Sequence, residues 1–217
     1  MTDPPASEAP TATTVPSQRS AWLRVGRFQV LASAIVLAAL ATAFALTVSQ
    51  GSVSAAQRRA DFTAMVATLR SDLDGCNANA SAAISAWQRA SQGQESRGAA
   101  ARQAQFASRA CAPATDNSVW KLTLYSLPSS LDGLHLDYAV SSLGVWAQED
   151  VSPAMTAEAQ LLRRPSDPSG ITAYDRLAGW AANDRAVASA TLRRAAQRLG
   201  IAGFTGISLT PLTAVSS

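Results

Sequence analysis

The sequence predicts an all-α protein: a single transmembrane helix followed by an extracytoplasmic helical bundle of about four to five helices, closed by one disulfide. Three observations carry that reading. Phe28 to Val48 is an uncharged apolar run, apolar residues beyond it recur at steps of three and four, and the only two cysteines fall on neighbouring helical segments.

The 217-residue chain holds 46 Ala, 17 Arg and one Lys, with 15% charged residues and 6% aromatics. A soluble domain carries roughly 25% charged residues, and a disordered or nucleic-acid-coating chain carries more. The formal charge of +3 is spread along the chain. No basic stripe exists to displace phosphate counterions, so no nucleic-acid partner is expected. Arg in place of Lys, together with heavy Ala, fits a high-GC bacterial genome.

Residues 1–27 read as a disordered cytoplasmic tail. The first twenty hold four Pro and seven Ser or Thr, and Val15 is their only bulky apolar residue after Met1. Such a segment buries too little surface to offset backbone ordering, and it cannot fold into a catalytic output module.

Residues 28–48 read as the transmembrane helix, with the lipid bilayer as its partner. At 1.5 Å per residue this stretch spans about 31 Å, the thickness of a bilayer's hydrocarbon core. A cleavable signal peptide is the rival, but its apolar core runs about 7–15 residues after a short leader. Arg19, Arg24 and Arg27 precede the run, whereas Arg58 and Arg59 lie farther off and are soon followed by Asp61. The positive-inside rule then places the N-terminus in the cytoplasm and the C-terminal domain outside, with Trp22 in the interfacial belt.

Residues 49–200 read as the extracytoplasmic α-helical domain. Phe62, Met65, Val66, Leu69, Leu73, Cys76, Ala80, Ala83, Ile84 and Trp87 form the stripe of an amphipathic helix. This helix is expected to continue from the membrane past a flex point near Gly51, and to stop around Ser91 to Gln94. A second helix spans about Gly98 to Cys111, ended by Pro113. Asn117 to Leu127 is ambiguous between strand and helix. Ser129 or Ser130 then caps a helix lined by Leu131, Leu134, Tyr138, Leu143 and Trp146, reaching about Ala147. Ser152-Pro153 opens a short helix to about Arg163, with Pro at its first position. Pro165 to Gly170 is a breaker cluster, and the last helix starts at Thr172 with Asp175 in capping-box position. Gly200 closes it, and residues 201–217 form an extended or flexible tail whose first half packs as a strap.

The cysteines set the register of the first two helices. In an antiparallel hairpin with its tip near Gly93 and Gln94, residues level with one another have numbers summing to about 187, as Cys76 and Cys111 do. The same register sets Ala80 against Ala107 and Ala83 against Ala104, small enough for the close approach a disulfide needs. Outside the cytoplasm such a bond persists as a structural staple. The alternatives are two unrelated core thiols and, with no Cys-x-x-Cys spacing present, a redox pair.

Catalytic signatures are missing from the sequence. There is no Gly-x-Ser-x-Gly, phosphate loop or dinucleotide fingerprint, and neither enzymatic activity nor a cofactor is expected. His135, the only histidine, lies i,i+3 from Asp132 on the expected helix, a two-ligand arrangement without an identifiable third. The acidic pairs Asp72/Asp74 and Glu149/Asp150 read as solvated faces and helix ends. Trp87, Trp120, Trp146 and Trp180 either fill an Ala-rich core or anchor a partner. Candidate ligand or partner contacts are His135, Tyr138, Trp146 and Trp180. The function expected is that of a non-catalytic, membrane-anchored interaction module of a bacterial cell envelope, acting through a protein partner or homo-oligomer. The alternatives are a small-molecule-binding sensor ectodomain and an envelope hydrolase.

Overall fold

A computed structural model describes residues 53–113 and 117–214, and they form an all-helical fold of five α-helices. The tail 1–27 and the apolar run 28–48 lie outside the described residues. Among the described residues, no helix is long and apolar enough to cross a membrane.

Helix α1 runs Ala55–Ser91, and its N-cap Ser54 accepts a hydrogen bond from the Gln57 N–H at 3.0 Å. Ser54, with extended backbone, sets the start of α1, and the join expected near Gly51 lies outside the described residues. Its apolar stripe is buried as the spacing predicts from Phe62 through Leu69 and Cys76 to Ala83, while Ile84 and Trp87 are half-buried. Gly93 takes a left-handed φ of 72° in the turn, and Ser96 caps α2, Arg97–Cys111.

Helix α2 covers only the upper half of α1. Below it, Ser118–Leu124 forms a 3-10 helix, so the ambiguous 117–127 segment is neither strand nor α-helix. Asn117 manages the transition: its side-chain amide donates to the carbonyls of Ala110 at 2.6 Å and Ala112 at 3.0 Å, while its Oδ1 accepts the Val119 N–H. A short 3-10 turn, Ser129–Leu131, follows.

The next three elements form one rod. Helix α3, Asp137–Val145, passes into a π-helical turn, Trp146–Val151, which leads directly into α4, Ser152–Arg163. Two expectations are corrected here. The helix begins at Asp137, not near Leu131, because Gly133 and His135 adopt left-handed φ values of 79° and 54°. Nor does the chain break before Ser152-Pro153. Pro153 has no N–H and would clash with the carbonyl four residues earlier in a regular helix. The π turn absorbs this, with the Ser152 N–H reaching back five residues to the Ala147 carbonyl.

Helix α5 runs Pro168–Arg198, capped by the Asp167 carboxylate with Pro168 in the first turn. It therefore starts before Thr172, whose hydroxyl bonds the Pro168 carbonyl. Gly170 lies inside the helix: a Cβ there would stand 2.9 Å from Leu161 Cδ2, so a larger residue would make the Leu161 side chain shift.

The rods alternate in direction, α1 up, α2 down, α3–α4 up and α5 down. α2 packs between α1 and α4, and α5 packs against the whole α3–π–α4 rod. The backbones of α1 and α5 stay apart over most of their length, with Trp87 of α1 stacked on Tyr174 of α5. The irregular residues beyond Gly200, with Gly203 and Gly206 at positive φ, lie between the two helices, with Phe204 edge-on to Phe62 at 5.4 Å and Ile207 and Leu209 buried.

Candidate functional site

Cys76 and Cys111 are joined in a disulfide with a Cα separation of 4.7 Å, and neither is exposed. Ala80, Ala83, Ala104 and Ala107 are fully buried around it, in keeping with the close register the small side chains allow. The bond lies where α2 ends, and it pins the last helical turn to the middle of α1.

Two buried acids occupy the seam between the α3–π–α4 rod and α5. Asp150, 2% exposed, leaves its Oδ2 without a hydrogen-bond partner, and Glu158, 1% exposed, leaves its Oε1 likewise. Burial raises the Asp150 pKa well above the carboxylate range, reinforced by a hydrogen bond with Asp184 and by the charges of Asp184 and Glu149. Burial alone pushes Glu158 up to about 8. Tyr174, stacked on Trp87 at 6.5 Å, is held protonated by burial and by the charges of Glu158 and Asp175. At neutral pH Glu158 is thus a neutral acid in an apolar seam. Asp150 and Glu158 do not line the clefts beside α1, the 3-10 segment or the C-terminal residues.

A more accessible arrangement is a cleft of about 420 Å³ between the 3-10 segment and the rod. Leu122, Tyr125 and Val140 line it, and Asp137, Ser141 and Glu149 offer polar groups. The Tyr125 hydroxyl pKa is raised by burial and by nearby Asp72. Asp72 is itself raised by burial, against the opposing attraction of Lys121. With two carboxylates in its lining and no basic residue, this cleft suits a small cationic or hydroxylated molecule better than an anion.

The four candidate contact residues do not converge. Trp146 is 1% exposed and belongs to the core, which corrects its reading as a surface contact. Tyr138 and Trp180 are exposed, at 64% and 52%, and the Arg176 guanidinium lies 5.3 Å from the Trp180 ring. His135 is exposed in a left-handed turn, not on a helix, so it shares no helical face with Asp132. Neither His135 nor Tyr138 lines a described cleft. Among the described residues no group of three or more His, Cys, Asp or Glu is placed to hold a metal.

The acidic pairs are half solvated and half buried: Asp74 and Glu149 face solvent, Asp72 and Asp150 do not. Asp72 and Glu158 were legible in principle, because each falls on its helix's apolar stripe, Asp72 between Leu69 and Cys76, Glu158 between Met155 and Leu162. Comparison with known protein families, curated proteins and solved structures finds no match to this chain.

Proposed function

We propose that this protein is a non-catalytic, membrane-anchored interaction module of a bacterial cell envelope, with residues 28–48 in the bilayer and the helical domain outside the cytoplasm. The observation that carries the reading is the buried Cys76–Cys111 disulfide. Disulfides of this structural kind persist in oxidising compartments, and the bond sits downstream of an uncharged run long enough to span lipid, with Arg19, Arg24 and Arg27 on the other flank. The exposed aromatics Tyr138, Trp180 and Phe106 supply the rigid side chains that anchor protein interfaces. The bundle acts through a protein partner or a second copy.

The test is made on intact cells and on membranes. With an N-terminal and a C-terminal tag, external protease removes the C-terminal tag alone, and both cysteines resist alkylation until reduced. Recovery of the full-length chain from the cytosol with both thiols alkylated overturns the reading. Crosslinking in membranes followed by purification is expected to recover a stoichiometric partner or a dimer, and recovery of the monomer alone counts against an interaction role. The cleft beside Tyr125 favours a second reading, a sensor ectodomain for a small cationic ligand, for which Tyr125→Phe and Asp137→Asn abolish ligand-induced thermal stabilisation. No observation favours the envelope hydrolase.

A further inference from the structure

The end of the bundle where α1 begins and α5 finishes carries a cleft of about 410 Å³. Its polar lining is Arg58 and Arg59 from the first turns of α1 and Gln197 and Arg198 from the last turn of α5, and no carboxylate belongs to it. Exposed Val53 stands at its rim.

Backbone carbonyls, not acids, hold the three guanidinium groups. Arg58 donates from Nε to the Ser130 carbonyl at 2.9 Å and from Nη2 to the Asp132 carbonyl at 3.4 Å. Arg59 donates from Nε to the Leu199 carbonyl at 2.8 Å, and Arg198 from Nη1 to the Gly133 carbonyl at 3.5 Å. A carbonyl orients a guanidinium without cancelling its charge, and with five N–H donors on each group most of the fork remains for a ligand. None of the three arginines is paired with a carboxylate among the described residues. The nearby Asp61 carboxylate is taken up by the Gln57 amide and the Ser130 hydroxyl, outside the cleft lining. The helix dipoles do not set the sign of this site, because the positive end of α1 and the negative end of α5 meet at the same cleft and offset each other. The arginines set it. Like charges gathered on one cleft repel, and a bound anion relieves that repulsion.

We propose that this cleft binds a phosphate group, its oxygens accepting from Arg58, Arg59 and Arg198. Forks arriving from two helices suit a tetrahedral anion, whose oxygens point several ways, better than a planar carboxylate that a single fork satisfies. Two sources carry this group, inorganic phosphate and a phospholipid headgroup. Four residues separate Val48, the end of the apolar run, from Val53, at most about 17 Å of chain. Where residues 28–48 lie in a bilayer, headgroup phosphates fall within that reach. The lipid source thus rests on the proposed membrane topology, whereas the affinity of the cleft for phosphate does not.

The test uses the full chain in maltoside micelles, whose headgroups carry no phosphate, and follows amide exchange of residues 55–59 and 197–200. One arm adds phosphatidylglycerol to the micelles, and the other replaces chloride with inorganic phosphate at constant ionic strength. Slowed exchange in the first arm alone assigns the site to a lipid headgroup, and slowed exchange in the second shows that free phosphate suffices. Raising sodium chloride should reverse either effect on the native chain. Arg198→Gln gives up only the 3.5 Å bond to Gly133 and should raise the concentration for half-maximal slowing about fivefold, the worth of one basic residue at an anionic surface. Arg163→Gln, the same charge change in the last turn of α4, should leave it unmoved. The proposal fails if neither arm slows exchange, or if Arg163→Gln weakens the effect as much as Arg198→Gln does. A chain that stays dispersed without detergent counts against the membrane topology instead, and the phosphate arm then decides the cleft on its own.

Discussion

Glu158 shows what one side chain can impose on a helical seam. Its carboxyl is 1% exposed with an oxygen left unpartnered, and burial raises its pKa from the ordinary 4.5 to about 8. Between those values the unfolded chain releases a proton that the folded chain keeps. The stability linked to this group is therefore fully present below about pH 4.5, falls as pH rises, and levels off above about pH 8. One pKa unit corresponds to about 1.4 kcal/mol, so the change across this window amounts to a few kcal/mol. Glu158→Gln removes the titration: the variant should gain about 1–3 kcal/mol at pH 8 and little at pH 5, a rise in Tm of several degrees read by calorimetry at the two pH values. An unchanged difference between the two pH values would show that Glu158 is not the group responsible. The sequence marks this position, since Glu158 interrupts the apolar stripe of α4, but a stripe alone does not say whether the acid is buried or bent out to water. The same ambiguity hid Asp150, whose orientation depends on a π turn that no local signal announces.

Helices α1 and α2 illustrate how far pattern reaches at the scale of elements. The sum rule that paired Cys76 with Cys111 depends only on the turn near Gly93 and on constant helical rise, and both hold in the fold. Because the seam is built of fully buried Ala, Ala104→Leu forces the two backbones apart and should destabilise by about 1–3 kcal/mol, measured by urea denaturation. Removing both cysteines with Cys76→Ala and Cys111→Ala releases a closed loop spanning 35 positions, and should cost about 3–4 kcal/mol by the chain-entropy model. The same denaturation experiment under reducing and oxidising conditions separates the two effects, since only the native cysteines respond to reductant. Pattern failed where an element's fate rests on tertiary compensation. Pro153 reads as a helix start from the chain alone, yet it sits in a rod that widens by a π turn to take it. Pro168 reads as part of a breaker cluster from the chain alone, whereas the Asp167 cap makes it a first-turn proline.

On the proposed topology, the whole molecule couples orientation to stability. Val53–Ser217 forms one compact unit around a single core, and on that topology the closure of its disulfide loop depends on the compartment it occupies. On the proposed topology, Arg19, Arg24 and Arg27 keep the N-terminus in the cytoplasm, so the thiols oxidise on the far side of the lipid. Replacing these three arginines with Glu, and adding two Lys between Ser49 and Val53, reverses the charge bias across the apolar run. A fraction of the chains should then insert with the bundle in the cytoplasm, where glutathione keeps Cys76 and Cys111 reduced. Those chains should be alkylated without prior reduction, lose the disulfide's share of stability, and be degraded faster, as a destabilisation of this size permits. Two measurements on the same cells check the chain of cause: protease protection for orientation, and alkylation-dependent gel shift for the thiols. If orientation reverses while the cysteines stay oxidised, compartment is not what sets the disulfide. If neither changes, the arginines are not the orienting charges, and the placement of the bundle must rest on something other than the charge asymmetry around residues 28–48.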